Sequence, residues 1–201
     1  DVVEYVSTFF QDKAQDTKYL GELLGRCRDN GVINHLIMVD DEGPLGDPDD
    51  NKRTEAVENH YKWVDAAKYL GCATIRVNTY GSGSDDDIQS AAVDGLSKLG
   101  EYAQKENINV IVENHGGCTS DGGWVEGLMK RINKPNIGTL PDFGNFCIEY
   151  STGPVRKCLK EYDRYKGVSL MMPFAKGVSA KTRDFDANGN CVETDYGRMM
   201  K

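Results

Sequence analysis

Short apolar runs, each followed by a helix-like stretch, recur along this chain at intervals of roughly 30 to 40 residues, the spacing of a strand–helix unit with its loops. The runs are Val2–Ser7, Ile33–Val39, Ala73–Asn78, Ile108–Glu113, Ile137–Leu140 and Phe174–Ser179. Amphipathic spacing predicts helices over Thr17–Asn30, Arg53–Leu70, Asp86–Glu106 and Trp124–Ile132. Asn30-Gly31 and Gly71 supply stop signals, and Asp85-Asp86-Asp87 suits the positive end of a helix dipole.

Strands that alternate with helices imply parallel strands joined by right-handed crossovers. An open doubly wound sheet and a closed (β/α)8 TIM barrel both fit that pattern. Two points favour the barrel. No Gly-x-Gly-x-x-Gly follows the first strand, so the usual dinucleotide fingerprint is absent. The residues that look chemical also stand at the C-terminal ends of several different strands, where a barrel builds its site. A full barrel takes about 250 residues. Six units are legible in these 201 residues, so the expectation is one barrel domain over residues 1–201 that lacks its first and last units. The acidic stretch Asp40–Asp50 reads as a loop at a strand end rather than a domain boundary.

Charge narrows the partners. The chain carries 24 Lys and Arg against 32 Asp and Glu, a net charge of −8. General nucleic-acid binders and anionic-membrane binders need a basic surface, so neither partner is expected. No apolar run approaches the ~20 residues that cross a bilayer. The six cysteines include no C-x-x-C pair, which argues against a zinc ribbon or a thioredoxin-like site and predicts reduced thiols. A cytoplasmic location is the matching expectation.

The most informative segment is Glu113-Asn114-His115-Gly116-Gly117, where a β-favouring run passes directly into a carboxylate, an amide, an imidazole and two glycines. A helix cap would need only one polar residue there. The next is Pro141-Asp142-Phe143-Gly144-Asn145-Phe146, a carboxylate that ends an apolar strand, with an amide three residues on. Glu113 and Asp142 are 29 residues apart, one unit, which places them on neighbouring strands at the same rim. Two carboxylates brought together repel unless a cation or proton lies between them, and a hard divalent ion is the natural resolution. In Lys176-Gly177-Val178-Ser179-Ala180-Lys181, alternation puts Ser179 and Lys181 on one face. Lys181 is then either a holder of an oxyanion or phosphate, or a solvated rim lysine. Among the earlier strands, Arg76 is either a buried ion-pair partner or a substrate contact. Asn78 shares its face, and Glu42 follows the second strand. His35 and His60 have no clustered partners and read as structural.

Ile111–Gly117, Gly138–Phe146, Tyr162-Asp163-Arg164-Tyr165 and Ala175–Lys181 together resemble the sugar phosphate isomerase/epimerase branch of the xylose-isomerase-like TIM barrels. That superfamily also holds ketose 3-epimerases, hydroxypyruvate isomerases, inosose dehydratases and endonuclease IV. The resemblance implies one divalent metal held by a Glu, an Asp, a His and a second Glu from successive strands. The first Glu matches Glu113 and the Asp matches Asp142. Ser179 stands where the His is usual, Asn145 stands where a substrate-binding His often lies, and the last Glu belongs to a strand beyond this chain.

The function expected on this basis is divalent-metal-assisted isomerisation or epimerisation of a sugar or sugar phosphate, by proton abstraction next to a carbonyl through an enediolate. Glu113 and Lys181 are the expected catalytic residues. Glu113 and Asp142 are the expected ligands, with oxygen donors favouring Mg²⁺ or Mn²⁺ over Zn²⁺. His115, Asn145, Arg76, Asn78 and Glu42 are the expected substrate contacts. A small-molecule sugar is the expected partner, and homo-oligomerisation is left open. The rival readings are a catalytically silent carbohydrate-binding barrel, suggested by the lost His, and an endonuclease-IV-like enzyme, which three His and the acidic charge oppose.

Overall fold

The backbone alternates strand and helix from its first residues. It is described here by a computed structural model covering residues 1–201. Five parallel strands form one sheet in the order β1 (Val2–Val6), β2 (Ile33–Met38), β3 (Thr74–Val77), β4 (Asn109–Glu113), β5 (Ile137–Leu140). Neighbours in the sheet are neighbours in sequence, the order of a singly wound βα series and not of a doubly wound sheet. Register runs Leu36↔Thr74 and Ile37↔Ile75 between β2 and β3, and Thr74↔Asn109 through Val77↔Val112 between β3 and β4. The class is α/β, as the alternation implies. No helix is long and apolar enough to cross a membrane.

Contacts divide the chain into two compact units, Asp1–Val112 with Arg131–Gly138, and Glu113–Lys130 with Thr139–Lys201. In the first, α1 (Thr17–Asp29), α2 (Asp50–Leu70) and α3 (Asp85–Lys105) follow β1, β2 and β3. Each helix starts on a side-chain cap. Asp16 accepts from Tyr19 N, Asp49 from Asn51 N and Lys52 N, and Ser84 forms a reciprocal box with Asp87. β4 reads as a continuous apolar run, Val110-Ile111-Val112, because both faces are covered, and β3 is buried along its whole length although it carries Thr74 and the ion-paired Arg76. Ile37, Ile75, Val77, Val110 and Val112 are fully buried, with Trp63, Leu96 and Leu99 from the helices.

The second unit holds the polar ends of β4 and β5 and most of α4 (Gly122–Ile132). Asp121 caps α4 by accepting from Gly123 N and Trp124 N. A sixth parallel strand is reduced to two bridges, Thr139↔Ala175 and Asp142↔Ser179. The run expected over Phe174–Ser179 is therefore present only as this short pairing.

Two features depart from the sequence expectation. An antiparallel hairpin of β6 (Cys147–Tyr150) and β7 (Cys158–Glu161) interrupts the βα series, and α5 (Arg164–Met171) follows it on an Asp163 cap. A disulfide joins Cys147 to Cys158 across that hairpin. The expectation of six reduced thiols is thus corrected to four, Cys27, Cys72, Cys118 and Cys191. The two cysteines are not opposite each other in the register, which pairs Cys147 with Glu161 and Cys158 with Tyr150, but the irregular hairpin brings their Cα atoms to 5.7 Å, within disulfide reach. Phe143, Phe146 and Val168 form the apolar centre of this unit, with Tyr162, Tyr196 and Met199 packed against it.

Candidate functional site

Four side chains singled out by sequence lie in the second unit and form one hydrogen-bonded chain. Glu113 is the last residue of β4 and is buried. Its Oε1 accepts from Asn145 Nδ2 at 3.3 Å. Asn145 Oδ1 accepts from Lys181 Nζ at 3.3 Å, and Lys181 Nζ lies 2.7 Å from Asp142 Oδ2. Carboxylate, amide, ammonium and carboxylate are thus linked in that order.

Asp142 is fully enclosed, with no exposed surface. A buried carboxylate must be paired and hydrogen-bonded to stay charged. Gly144 N donates to Oδ1 at 2.8 Å, while Ser179 Oγ at 3.0 Å and Lys181 Nζ both donate to Oδ2. The backbone sets these partners. Ser179 N donates to Pro141 O and Phe143 N to Ser179 O, so the short parallel bridge holds the Ser179 segment against the Asp142 segment. Gly144 leaves space for the lysine stem, since a Cβ there would come within 3.3 Å of Lys181 Cδ.

Asn114, next to Glu113, points the other way along the strand and is completely buried. Its Nδ2 donates to Asp142 O at 2.9 Å and to Asn145 O at 3.3 Å, and its Oδ1 accepts from Asp142 N at 2.7 Å. It staples the segment that carries both Asp142 and Asn145. Sequence reading gave Asn114 no role of its own, nor Ser179 a donor's role. Arg183 was missed as well, and its Nη2 donates to Asn145 Oδ1 at 3.3 Å. The pairing of Asn114 with the 142–145 turn rests on register, and no local pattern announces it.

His115 is exposed, and its backbone N donates to Thr119 Oγ1 at 2.9 Å. Gly116 and Gly117 follow at φ 103° and 57°, where a side chain is strained, although a Cβ at either would meet open space. The glycines serve the turn, not a crowded approach. Tyr196 OH donates to Lys181 O at 3.1 Å. Burial, together with the neighbouring Cys191, Glu193 and Asp142, pushes its phenol pKa up, which keeps it a neutral donor.

Arg76, Asn78 and Glu42 belong to the first unit. Arg76 Nη1 pairs with Asp40 Oδ1 at 2.7 Å, and Asn78 Nδ2 donates to the same oxygen at 2.7 Å. Of the two readings offered for Arg76, the structure shows the ion pair. Glu42 Oε1 takes Trp63 Nε1 at 2.7 Å and Lys62 Nζ at 2.8 Å. His60 is buried, and its Nδ1 lies 2.7 Å from Ala56 O.

The donor set is a poor match for a resident divalent ion. Such an ion takes several protein donors with open lone pairs. No three His, Cys, Asp or Glu side chains converge on one point. Both lone pairs of Asp142 Oδ2 already receive a proton donor, one of them an ammonium, and Ser179 gives its hydroxyl proton instead of offering an oxygen. The residues present do not fit the metal that the resemblance implies.

A family model, xylose isomerase-like TIM barrel, matches residues 1–180. The chain belongs to that family. Solved structures agree on the fold. The xylose isomerase domain protein from Planctomyces limnophilus is 15% identical with a TM-score of 0.70, over 90% of this chain and 64% of that one. A xylose isomerase-like TIM barrel protein from Mycobacterium smegmatis, solved with magnesium, is 14% identical with a TM-score of 0.68, over 94% and 64%. A D-psicose 3-epimerase solved in the presence of D-fructose is 14% identical with a TM-score of 0.65, over 99% and 84%. The chain therefore spans just under two thirds of the length of the first two. Among curated proteins, none matches it in sequence.

Proposed function

We propose that this protein is a sugar isomerase or epimerase that moves a proton next to a carbonyl, with Glu113 as the base. The observation that carries the reading is the linked set Glu113–Asn145–Lys181–Asp142 at the strand ends. Proton abstraction beside a carbonyl needs a positioned base and a positive group at the oxygen where charge develops. Glu113 offers the first and Lys181 the second. Asn145, held by Asn114 through its backbone, fixes the Glu113 carboxylate. Family membership supports the class, and the D-psicose 3-epimerase of the same fold supports a ketose as substrate.

Divalent-metal assistance formed part of the sequence expectation, and the donor set described above does not support it. No step is assigned to a metal. His115 and Arg183 are the exposed groups beside the chain and are proposed to contact substrate hydroxyl or phosphate oxygens. The test is a panel of ketoses and ketose phosphates incubated with full-length protein, with chromatographic detection of epimers and aldoses. Wild type is expected to convert at least one substrate. Glu113→Gln is expected to lose at least about 100-fold, the contribution of a positioned general base. Equal conversion by both proteins would remove Glu113 from the role.

A further inference from the structure

We infer that the Lys181 ammonium takes the place of the metal ion, as a built-in cation that polarises the substrate carbonyl. The inference rests on the proton-transfer reading above and deepens it.

Three observations converge. The first is charge. Asp142 is completely buried, and the cation it requires is Lys181 Nζ at 2.7 Å. Any divalent ion at Asp142 Oδ2 would have to displace that ammonium. The second is placement. Lys181 is held at several points, by Tyr196 OH on its carbonyl, by Asn145 Oδ1 on its ammonium, and by the gap at Gly144 along its stem. A solvated rim lysine would not be fixed at both ends. The third is an open donor. An ammonium has three N–H groups. Asp142 and Asn145 take two, and the side chain is a third exposed, so one N–H remains for a ligand oxygen.

The step balances with no further reactant but solvent protons. Glu113 removes the proton from the carbon next to the carbonyl. The C–H electron pair becomes the enediolate double bond, and the carbonyl pair moves onto oxygen. The Lys181 ammonium hydrogen-bonds that oxygen as its negative charge develops. Return of the proton by Glu113 to the former carbonyl carbon, with the proton of the neighbouring hydroxyl passing to the former carbonyl oxygen, gives the isomer; for the epimer, the other face takes its proton from solvent and Glu113 releases its own to solvent. Asp142 stays ionised and holds the lysine in position, so it is a positioning residue here.

The experiment uses full-length wild type, Lys181→Ala and the double variant Lys181→Ala/Asp142→Asn, each checked for folding by circular dichroism. Mn²⁺ alone is titrated by calorimetry, and solvent deuterium uptake by a converted ketose is followed with and without EDTA. Wild type is expected to show no saturable Mn²⁺ binding and an exchange rate unchanged by EDTA. Lys181→Ala is expected to lose exchange by at least about 100-fold, as for loss of one oxyanion donor, and to regain part of it with added ethylamine. The double variant, which also removes the buried charge left without its cation, is expected to lose exchange to the same extent, and neither variant is expected to gain saturable Mn²⁺ binding, since no three carboxylate, imidazole or thiol groups converge there. Saturable Mn²⁺ binding by wild type, with EDTA abolishing exchange, would overturn the inference and leave the sugar-isomerase reading standing. Absence of exchange on every sugar would defeat that reading, and the Mn²⁺ titrations would still decide which cation Asp142 holds.

Discussion

Lys181 Nζ lies 2.7 Å from Asp142 Oδ2, and this ion pair sets the charge of the candidate site. Two carboxylates at neighbouring strand ends require a positive partner. Here the partner is covalently part of the chain, fixed by Tyr196, Asn145 and the space at Gly144. Glu113 is joined to the pair through Asn145.

Asn114 gives the first prediction. Asn114→Ala strips partners from the buried N and O of Asp142. A buried group left unsatisfied costs about 1–3 kcal/mol. Urea unfolding should show a loss in that range, and exchange activity should fall because Asn145 and Asp142 lose their anchor. An unchanged unfolding midpoint would mean that water replaces the amide at no cost.

The hairpin gives the second. Unreduced, denatured protein should react with a thiol reagent at the four cysteines outside the disulfide. Cys147 and Cys158 close a loop of 11 residues in sequence separation, for which loop entropy predicts about 2–3 kcal/mol of stabilisation. Cys147→Ser/Cys158→Ser should therefore unfold at lower urea. Because β6 begins just after Asn145, the same change is expected to weaken the site.

His60 gives a pH dependence. Burial lowers its pKa below 6.5, opposed by the hydrogen bond to Ala56 and the charge of Glu42. The unfolded chain then binds a proton near pH 6.5 that the folded chain refuses. Stability is full above that pH and falls as the pH drops from 6.5 toward the lower folded value. Unfolding free energy at pH 7.5 and 5.5 should show the loss, and His60→Gln should reduce the difference. An equal difference in both proteins would assign the effect to other groups.

Much of this fold is legible in the amino-acid sequence. The runs at β1 to β5 are legible from short β-favouring stretches at regular spacing, most clearly at β4, where Val110-Ile111-Val112 is buried on both faces and continuously apolar. Glu113, Asp142, Asn145 and Lys181 stood out because polar residues interrupt such runs at their ends. The hairpin did not, since β7 (Cys-Leu-Lys-Glu) is exposed throughout and carries no apolar alternation. The helix α5 was missed because its apolar residues are few and are broken by Gly167. Asn114, Ser179 and Arg183 acquire their roles only through pairings across 28 to 38 residues, which depend on register.

The central claim, that Glu113 moves a proton beside a carbonyl under the Lys181 ammonium, is tested most directly by deuterium uptake from D₂O into a ketose, followed by NMR in the presence of EDTA. The account predicts uptake at the carbon next to the carbonyl by wild type and its loss in Glu113→Gln, with the two proteins equally folded. Wild-type protein that binds ketoses and exchanges no proton in any of them would contradict it, and would favour a carbohydrate-binding barrel without catalysis.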